Sequence, residues 1–346
     1  MSIGFSPLPE LRRMSIGLLP LESVESIDHW SISWVEHGLA DPDVPVALVP
    51  CAMGSTHQCK DSLIGPCLPL DTRRLHMLAV TALGNGLSTS PFNSAQQPVH
   101  TFPVFSIRPM VASEARLLDE LAISRLALVP GASMDGLQAL EWGVRGPLRM
   151  DRIVALSPLA RTPGWSRGVN EAARRALQPL VAPGVWTGRN HPASALEGRA
   201  LIMHLQAART PEQVTSEILD HHALSHWLAR PAQEWTERRF DPLDWVYQSL
   251  EYGAHDVVKT SSTQGDTALA LALGNIQAKT LVLGTQPDLY NPVDFAEWAS
   301  KQISGCVYAA INSDWEHLTL SAADTGNAAL LRQYVSQILW ASESRS

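Results

Sequence analysis

Apolar residues along the chain fall into short runs separated by amphipathic stretches. Val46–Val49 (VALV), Leu75–Val80 (LHMLAV), Leu126–Val129 (LALV), Ile153–Leu156 (IVAL), Thr280–Leu283 (TLVL) and Val307–Ile311 (VYAAI) are nearly continuous in hydrophobic residues. That is the pattern of strands covered on both faces. Helix-like segments lie among them, including Val111–Leu121 (VASEARLLDEL) and Gly136–Val144. The alternation predicts the α/β class: an open, mostly parallel sheet flanked by helices, with right-handed crossovers.

The interval between Ile153–Leu156 and Thr280–Leu283 is far too long for one crossover. Residues Trp165–His255 differ from their flanks in being rich in Arg, Glu, His and Ala. Three blocks there, NEAARRALQPL, LEGRALIMHLQAA and PEQVTSEILDHHALSHWLA, read as helices. The pattern predicts a helical lid over 163–255, inserted into a core made of 1–162 and 256–346. Trp30 and Trp34, four apart as on one face of a helix, read as packing residues. The last residues, Ser342–Ser346, read as a frayed end.

Composition removes several functions. Lys+Arg number 26 against 34 Asp+Glu, a net charge of -8, and no dense basic run occurs. Nucleic-acid binding needs such a basic surface. No uncharged apolar stretch reaches the roughly 18 residues of a membrane span. Pro7, Pro9, Glu10, Arg12 and Arg13 interrupt the N-terminal segment, so no signal peptide is read there. Cys51, Cys59, Cys67 and Cys306 form no C-x-x-C pair, which argues against a zinc site or a disulfide framework and for free thiols in a reducing cytoplasm. No metal and no bound cofactor are expected. Five of the 11 tryptophans (Trp165, Trp186, Trp227, Trp235, Trp245) fall in the insertion, where they either line an apolar acyl pocket or form a dimer face.

The strongest chemical signal is Leu126–Gly136, LALVPGASMDG, followed by LQALEWGV. A strand running into a Gly/Ala turn with serine at its apex, then a helix, is the context of a nucleophile elbow. Small residues allow the strained turn that lifts Ser133 above the sheet edge, and the helix N-terminus offers N–H groups to a developing oxyanion. Asp135 stands where G-x-S-x-G has its last glycine. Near an oxyanion its charge is unfavourable, so its side chain is expected to point away from Ser133 or toward a cationic substrate group. A base and an orienter follow in the order Ser…Asp…His. Asp288 (GTQPDLYNP) lies just past the strand Thr280–Leu283, and His317 (SDWEHLTL) lies just past Val307–Ile311. Both positions are carboxyl ends of strands, where open sheets carry their sites. Asp314 is a rival acid. The candidate oxyanion donors are the Met134 N–H and one N–H from the loop after Val46–Val49, Ala52 or Met53.

GASMDGLQALEWG resembles the elbow GGSMGGMQALEWA of the homoserine O-acetyltransferase (MetX-like) family of α/β-hydrolases. FPVFSIRPMVASEARLLDEL resembles that family's helix entry, with Pro109 where Asp is usual. WVYQSLEYGAHDV, GDTALAL and DLYNP resemble the segments leading to its catalytic acid. The resemblance covers most of the chain and implies the α/β-hydrolase fold with Ser133, Asp288 and His317 as catalytic triad. It also implies a homodimer paired through lid helices. PCAMGSTHQCKDSLIGPCLPLD (Pro50–Asp71) and GNGLSTSP (Gly84–Pro91) look closest to the ester-hydrolysing branch. The acetyltransferases carry Asp directly after the catalytic His to hold the substrate amine; here the neighbour is Leu318, and Glu316 replaces the usual preceding Gly. NEAARRAL resembles the acetyltransferase segment N-x-x-x-R-Q-A-I, which places Arg174 at the substrate carboxylate; its alternative is one more solvated arginine on a lid helix. The expected activity is hydrolysis of a small carboxylic ester through an acyl-serine. Transfer from acetyl-CoA or another acyl-CoA to a small hydroxylated acceptor, and an inactive ligand-binding homologue, are the alternatives.

Overall fold

In the computed structural model of the chain, residues 9–207, 209–237, 241–258, 265–319 and 328–340 are described; the end at Ser342–Ser346 lies outside them. The strands are β1 (Arg12–Pro20), β2 (Ser26–His37), β3 (Val46–Val49), β4 (His76–Thr81), β5 (Val129–Ala132), β6 (Arg152–Leu156), β7 (Lys279–Gln286) and β8 (Val307–Asn312). They pair as β1-β2-β4-β3 and β5-β6-β7-β8. The two halves join where the Leu48 N–H donates to Leu128 O at 3.1 Å and the Ala127 N–H to Val46 O at 2.7 Å. β1–β2 and β2–β4 pair antiparallel; β4–β3 and every pairing beyond it are parallel.

Helices α1 (Ile107–Glu120), α2 (Met134–Arg145), α8 (Asp266–Gly274) and α9 (Val293–Gln302) pack with one face of the sheet, and α10 (Ala328–Trp340) with the other. The period of two sorts the side chains. Leu48 joins the first core, while its neighbours Ala47 and Val49 join the second. Burying both faces leaves no room for polar positions, which is why these strands read as unbroken apolar runs. Between β6 and β7 lie α3 (Gly164–Val181), α4 (Glu197–Ala207), α5 (Pro211–Glu217), α6 (His221–Glu237) and α7 (Pro242–Ala254).

Three expectations change. Trp30 and Trp34 are on a strand, β2, where a spacing of four also returns to the same face. Both are buried as packing residues. The strand read at Leu126–Val129 begins only at Val129: its regular ladder runs Val129↔Ile153 to Ala132↔Leu156, while Leu126 and Leu128 make single bridges. The third helical block of the insertion is two helices, α5 and α6, broken between Glu217 and His221.

Candidate functional site

Ser133 occupies the turn between β5 and α2 with φ 61°, ψ -125°, a left-handed backbone that costs a non-glycine residue strain. The turn is held by Ser133 N–H donating to Leu156 O at 3.0 Å, and by the Leu137 N–H donating to Ser133 O at 3.0 Å. The Ser133 side chain makes no cap bond to its own helix. Two glycines make the turn possible. A Cβ on Gly131 would lie 2.0 Å from the Asp135 carbonyl oxygen, and one on Gly136 3.0 Å from Leu156 O. Position 135 has no such constraint, so the motif tolerates aspartate there.

Three side chains from three loops meet at this turn. Ser133 Oγ and His317 Nε2 are 2.6 Å apart, and His317 Nδ1 and Asp288 Oδ2 are 2.8 Å apart. With the proton on Nδ1, the imidazole donates to Asp288 and accepts from the Ser133 hydroxyl. Asp288 is fixed in turn: its Oδ1 accepts from the Tyr290 N–H at 2.9 Å and the Asn291 N–H at 2.7 Å. The rival Asp314 instead accepts, through its backbone carbonyl, from the Thr210 N–H at 3.1 Å.

Met134 begins α2. The loop bearing Ala52 and Met53 is tied to that helix by Gln138 Nε2 donating to Cys51 O at 3.2 Å, and to α7 by the Gly54 N–H donating to Gln248 Oε1 at 2.7 Å. All four cysteines are free, and Cys51 is a buried thiol whose pKa burial pushes well up.

Two substrate contacts expected from sequence are differently engaged. Asp135 is fully buried and pairs with the Lys60 ammonium. Its charge is already matched by a side chain of the protein. Burial alone would depress the Lys60 pKa, but Asp135 and the Cys59 and Cys51 thiols outweigh it and hold the ammonium above its usual range. Arg174 donates to Glu171 Oε2 from Nη2 at 2.7 Å, and to the Ser249 carbonyl and hydroxyl from Nη1 at 3.1 and 3.2 Å.

Further residues complete the site. The Tyr290 ring packs edge-on against His317 with centroids 4.9 Å apart, and its hydroxyl donates to Asn170 Oδ1 at 2.7 Å. Tyr252 stacks on Tyr290 at 5.3 Å and donates to Asn291 Oδ1 at 2.6 Å. Tyr290 and Asn291 stand two and three residues after Asp288 in DLYNP, a signal legible in the sequence; nothing local to Tyr252 or Lys60 marks either. Glu316 carries φ 42°, a conformation suited to the glycine it replaces. Its Oε2 accepts from the Leu289 N–H at 3.1 Å, linking the two loops that carry Asp288 and His317. Burial raises its pKa first, against the lowering contribution of that N–H.

An eight-stranded sheet of this order with a Ser-His-Asp chain at its carboxyl edge defines an α/β-hydrolase. No protein-family model matches the chain. It is 25% identical to a homoserine O-acetyltransferase of Corynebacterium jeikeium over 78% of this chain and 73% of that one. It is 26% identical to another from Clavibacter michiganensis, over 90% and 88%. The acetyl esterase MekB superposes with a TM-score of 0.85 at 26% identity, covering 95% of this chain and 96% of that one. The chain is an enzyme of the α/β-hydrolase fold, similar to homoserine O-acetyltransferases and to acetylester hydrolases.

Proposed function

We propose that the protein hydrolyses a small carboxylic ester through an acyl-Ser133 intermediate. The observation that carries this reading is the continuous chain Ser133–His317–Asp288 at 2.6 and 2.8 Å. His317 takes the Ser133 proton as Oγ attacks the carbonyl carbon, and Asp288 stabilises the imidazolium. The N–H groups of Met134 and of Ala52 or Met53 hold the oxyanion. His317 then returns the proton to the leaving alcohol and activates a water to free the acid. The helices between β6 and β7 act as a lid that shapes the acyl and alcohol pockets.

Two features favour water over an amino-acid acceptor. Leu318 follows His317, so no carboxylate stands there for a substrate ammonium. Arg174 is occupied by Glu171 and Ser249. A transferase using an acyl-CoA as co-substrate is the second reading, supported by the homoserine O-acetyltransferase relatives. Fluorophosphonate labelling is expected on the protein and lost in Ser133→Ala; a folded protein that takes no label would sink both enzyme readings. Release of p-nitrophenol from p-nitrophenyl acetate is expected to proceed in water and to ignore added small alcohols. Deacylation that waits on an added alcohol would select the transferase. Among the described residues, no helix is long and apolar enough to cross a membrane, and a cytoplasmic enzyme is the reading we carry. Exposed Leu201 and Leu205, one turn apart on α4, are where pairing through the lid would be sought by light scattering.

A further inference from the structure

Glu316 precedes His317 and stands where a glycine would fit more easily. Its backbone takes φ 42°, a conformation open to glycine and strained for glutamate. The residue is fully buried, and an ionised carboxylate loses its hydration there. The backbone is pinned on both sides. The Glu316 N–H donates to Ser313 O at 3.1 Å, and Glu316 O accepts from the Thr319 N–H at 3.1 Å and the Thr319 hydroxyl at 2.5 Å. The side chain is engaged through one oxygen only. Oε2 accepts from the Leu289 N–H at 3.1 Å, while Oε1 is buried with no hydrogen-bond partner among the described residues. Strained residues of this kind gather at functional sites, where the strain serves the mechanism.

The carboxylate stands where two loops of the site join. Leu289 follows Asp288, whose Oδ2 meets His317 Nδ1 at 2.8 Å. A backbone N–H bonds an ionised carboxylate more strongly than a neutral one, so the tie between the loops tightens when Glu316 ionises. Burial is the largest influence on that ionisation and raises the pKa; the Leu289 N–H lowers it. Of the charged groups that act on Glu316, Asp288 from the loop after β7 and Glu212 from α5 oppose ionisation, and His317 on its own loop favours it. The attraction is mutual. An ionised Glu316 favours the protonated imidazole, the form His317 takes as Ser133 attacks. Away from water such a charge is weakly screened.

We propose that Glu316 is a positioning residue: its ionised carboxylate holds the Asp288 loop to the His317 loop and supplies, beside Asp288, a second negative charge for the imidazolium. The proposal rests on the acyl-Ser133 reading above, and two readouts keep the two apart. One is kcat/KM for p-nitrophenyl acetate, followed from about pH 5 to 9. The other is the second-order rate of fluorophosphonate labelling of Ser133, which uses His317 as base and needs no turnover. Glu316→Gln keeps an acceptor for the Leu289 N–H and removes the charge. The ratio of wild type to Glu316→Gln is expected to lie near one in acid, where Glu316 is protonated, and to climb to about three- to tenfold in alkali. The loss should fall on kcat with KM little changed, and the labelling rate should follow it. Glu316→Gly relieves the backbone and removes both the tie and the charge. It is expected to fold, to be slower than Glu316→Gln at every pH, and to show the same climb against wild type. Should Glu316→Gln fail to fold, the climb against Glu316→Gly decides. A ratio constant across pH, or a loss carried by KM alone, would overturn the proposal. If wild type releases no p-nitrophenol while the labelling ratio climbs, the hydrolase reading fails and the role of Glu316 stands. If wild type cleaves the ester and both ratios stay flat, that role alone falls.

Discussion

Asp135 and Lys60 are a buried ion pair one residue from the Met134 N–H, with side-chain exposures of 0% and 9%. Removing one member of such a pair leaves the other charged and desolvated, at about 3–5 kcal/mol. Asp135→Gly therefore restores the family's elbow glycine yet is expected to lower stability by about that amount, because Lys60 is stranded. Lys60→Met combined with Asp135→Gly is expected to recover most of the loss in urea unfolding. An Asp135→Gly protein as stable as wild type would show that the pair contributes nothing. The departure at Asp135 was legible in the sequence, and so was its need to avoid the oxyanion. Its partner was not, since Lys60 lies 75 positions away on another loop and pairing across that distance is decided by the fold. Glu316 is the converse case. The substitution for glycine was visible, but its left-handed backbone and the bond to Leu289 emerge only when the loops after β7 and β8 meet.

At the scale of elements, the loop after β7 is clamped to α3. Ser166 Oγ donates to Tyr290 O at 2.6 Å, the Trp165 indole N–H donates to Leu289 O, and Tyr290 donates to Asn170. The insertion thus fixes the ring that packs on His317. Asn170→Ala orphans a hydroxyl on a residue 1% exposed, at about 1–3 kcal/mol. It is expected to lower kcat about tenfold through misplacement of the imidazole, with KM little changed. Tyr290→Phe in the same chain removes the orphan and keeps the ring, so stability should return; equal instability of single and double variants would refute the clamp. Five strands could be read because both their faces are buried, and β8, mostly exposed or half-buried, because its residues are apolar. β1 and β2 were missed for the opposite reason. β1 is a largely exposed edge strand containing Gly17 and polar positions, and β2 mixes buried serines with its tryptophans, Ser31 donating its N–H to Thr89 and Ser33 to Ser88. β5 was misplaced by three residues because Pro130 and Gly131 read as a turn, whereas pairing to β6 holds them extended.

For the whole molecule, three buried groups remote from Ser133 contribute to the dependence of stability on pH. Glu114 on α1 accepts from the Trp142 indole N–H on α2 at 2.7 Å, and burial pushes its carboxyl up to about 8. Burial holds His255, whose Nε2 donates to Leu159 O at 3.0 Å, at about 4, and His204 also at about 4. Between pH 4.5 and 6.5 the unfolded chain protonates both histidines and the folded chain protonates only Glu114. Counting these three groups alone, the unfolded state then binds more protons, and their contribution to stability rises with pH. Between pH 6.5 and 8 only folded Glu114 keeps its proton, so the sign reverses and stability falls, by about 2 kcal/mol across that window. The contribution of these three groups peaks near pH 6.5, and Asp244 and Glu251, whose carboxyls burial pushes well above the usual range, add to the fall with rising pH. Glu114→Gln keeps an acceptor for Trp142 without a proton to lose. Relative to wild type, its urea-unfolding free energy is expected to rise from pH 4.5 to about 8 and to change no further above that. A decline above pH 6.5 that persists unchanged in Glu114→Gln would place its origin elsewhere than the α1–α2 contact.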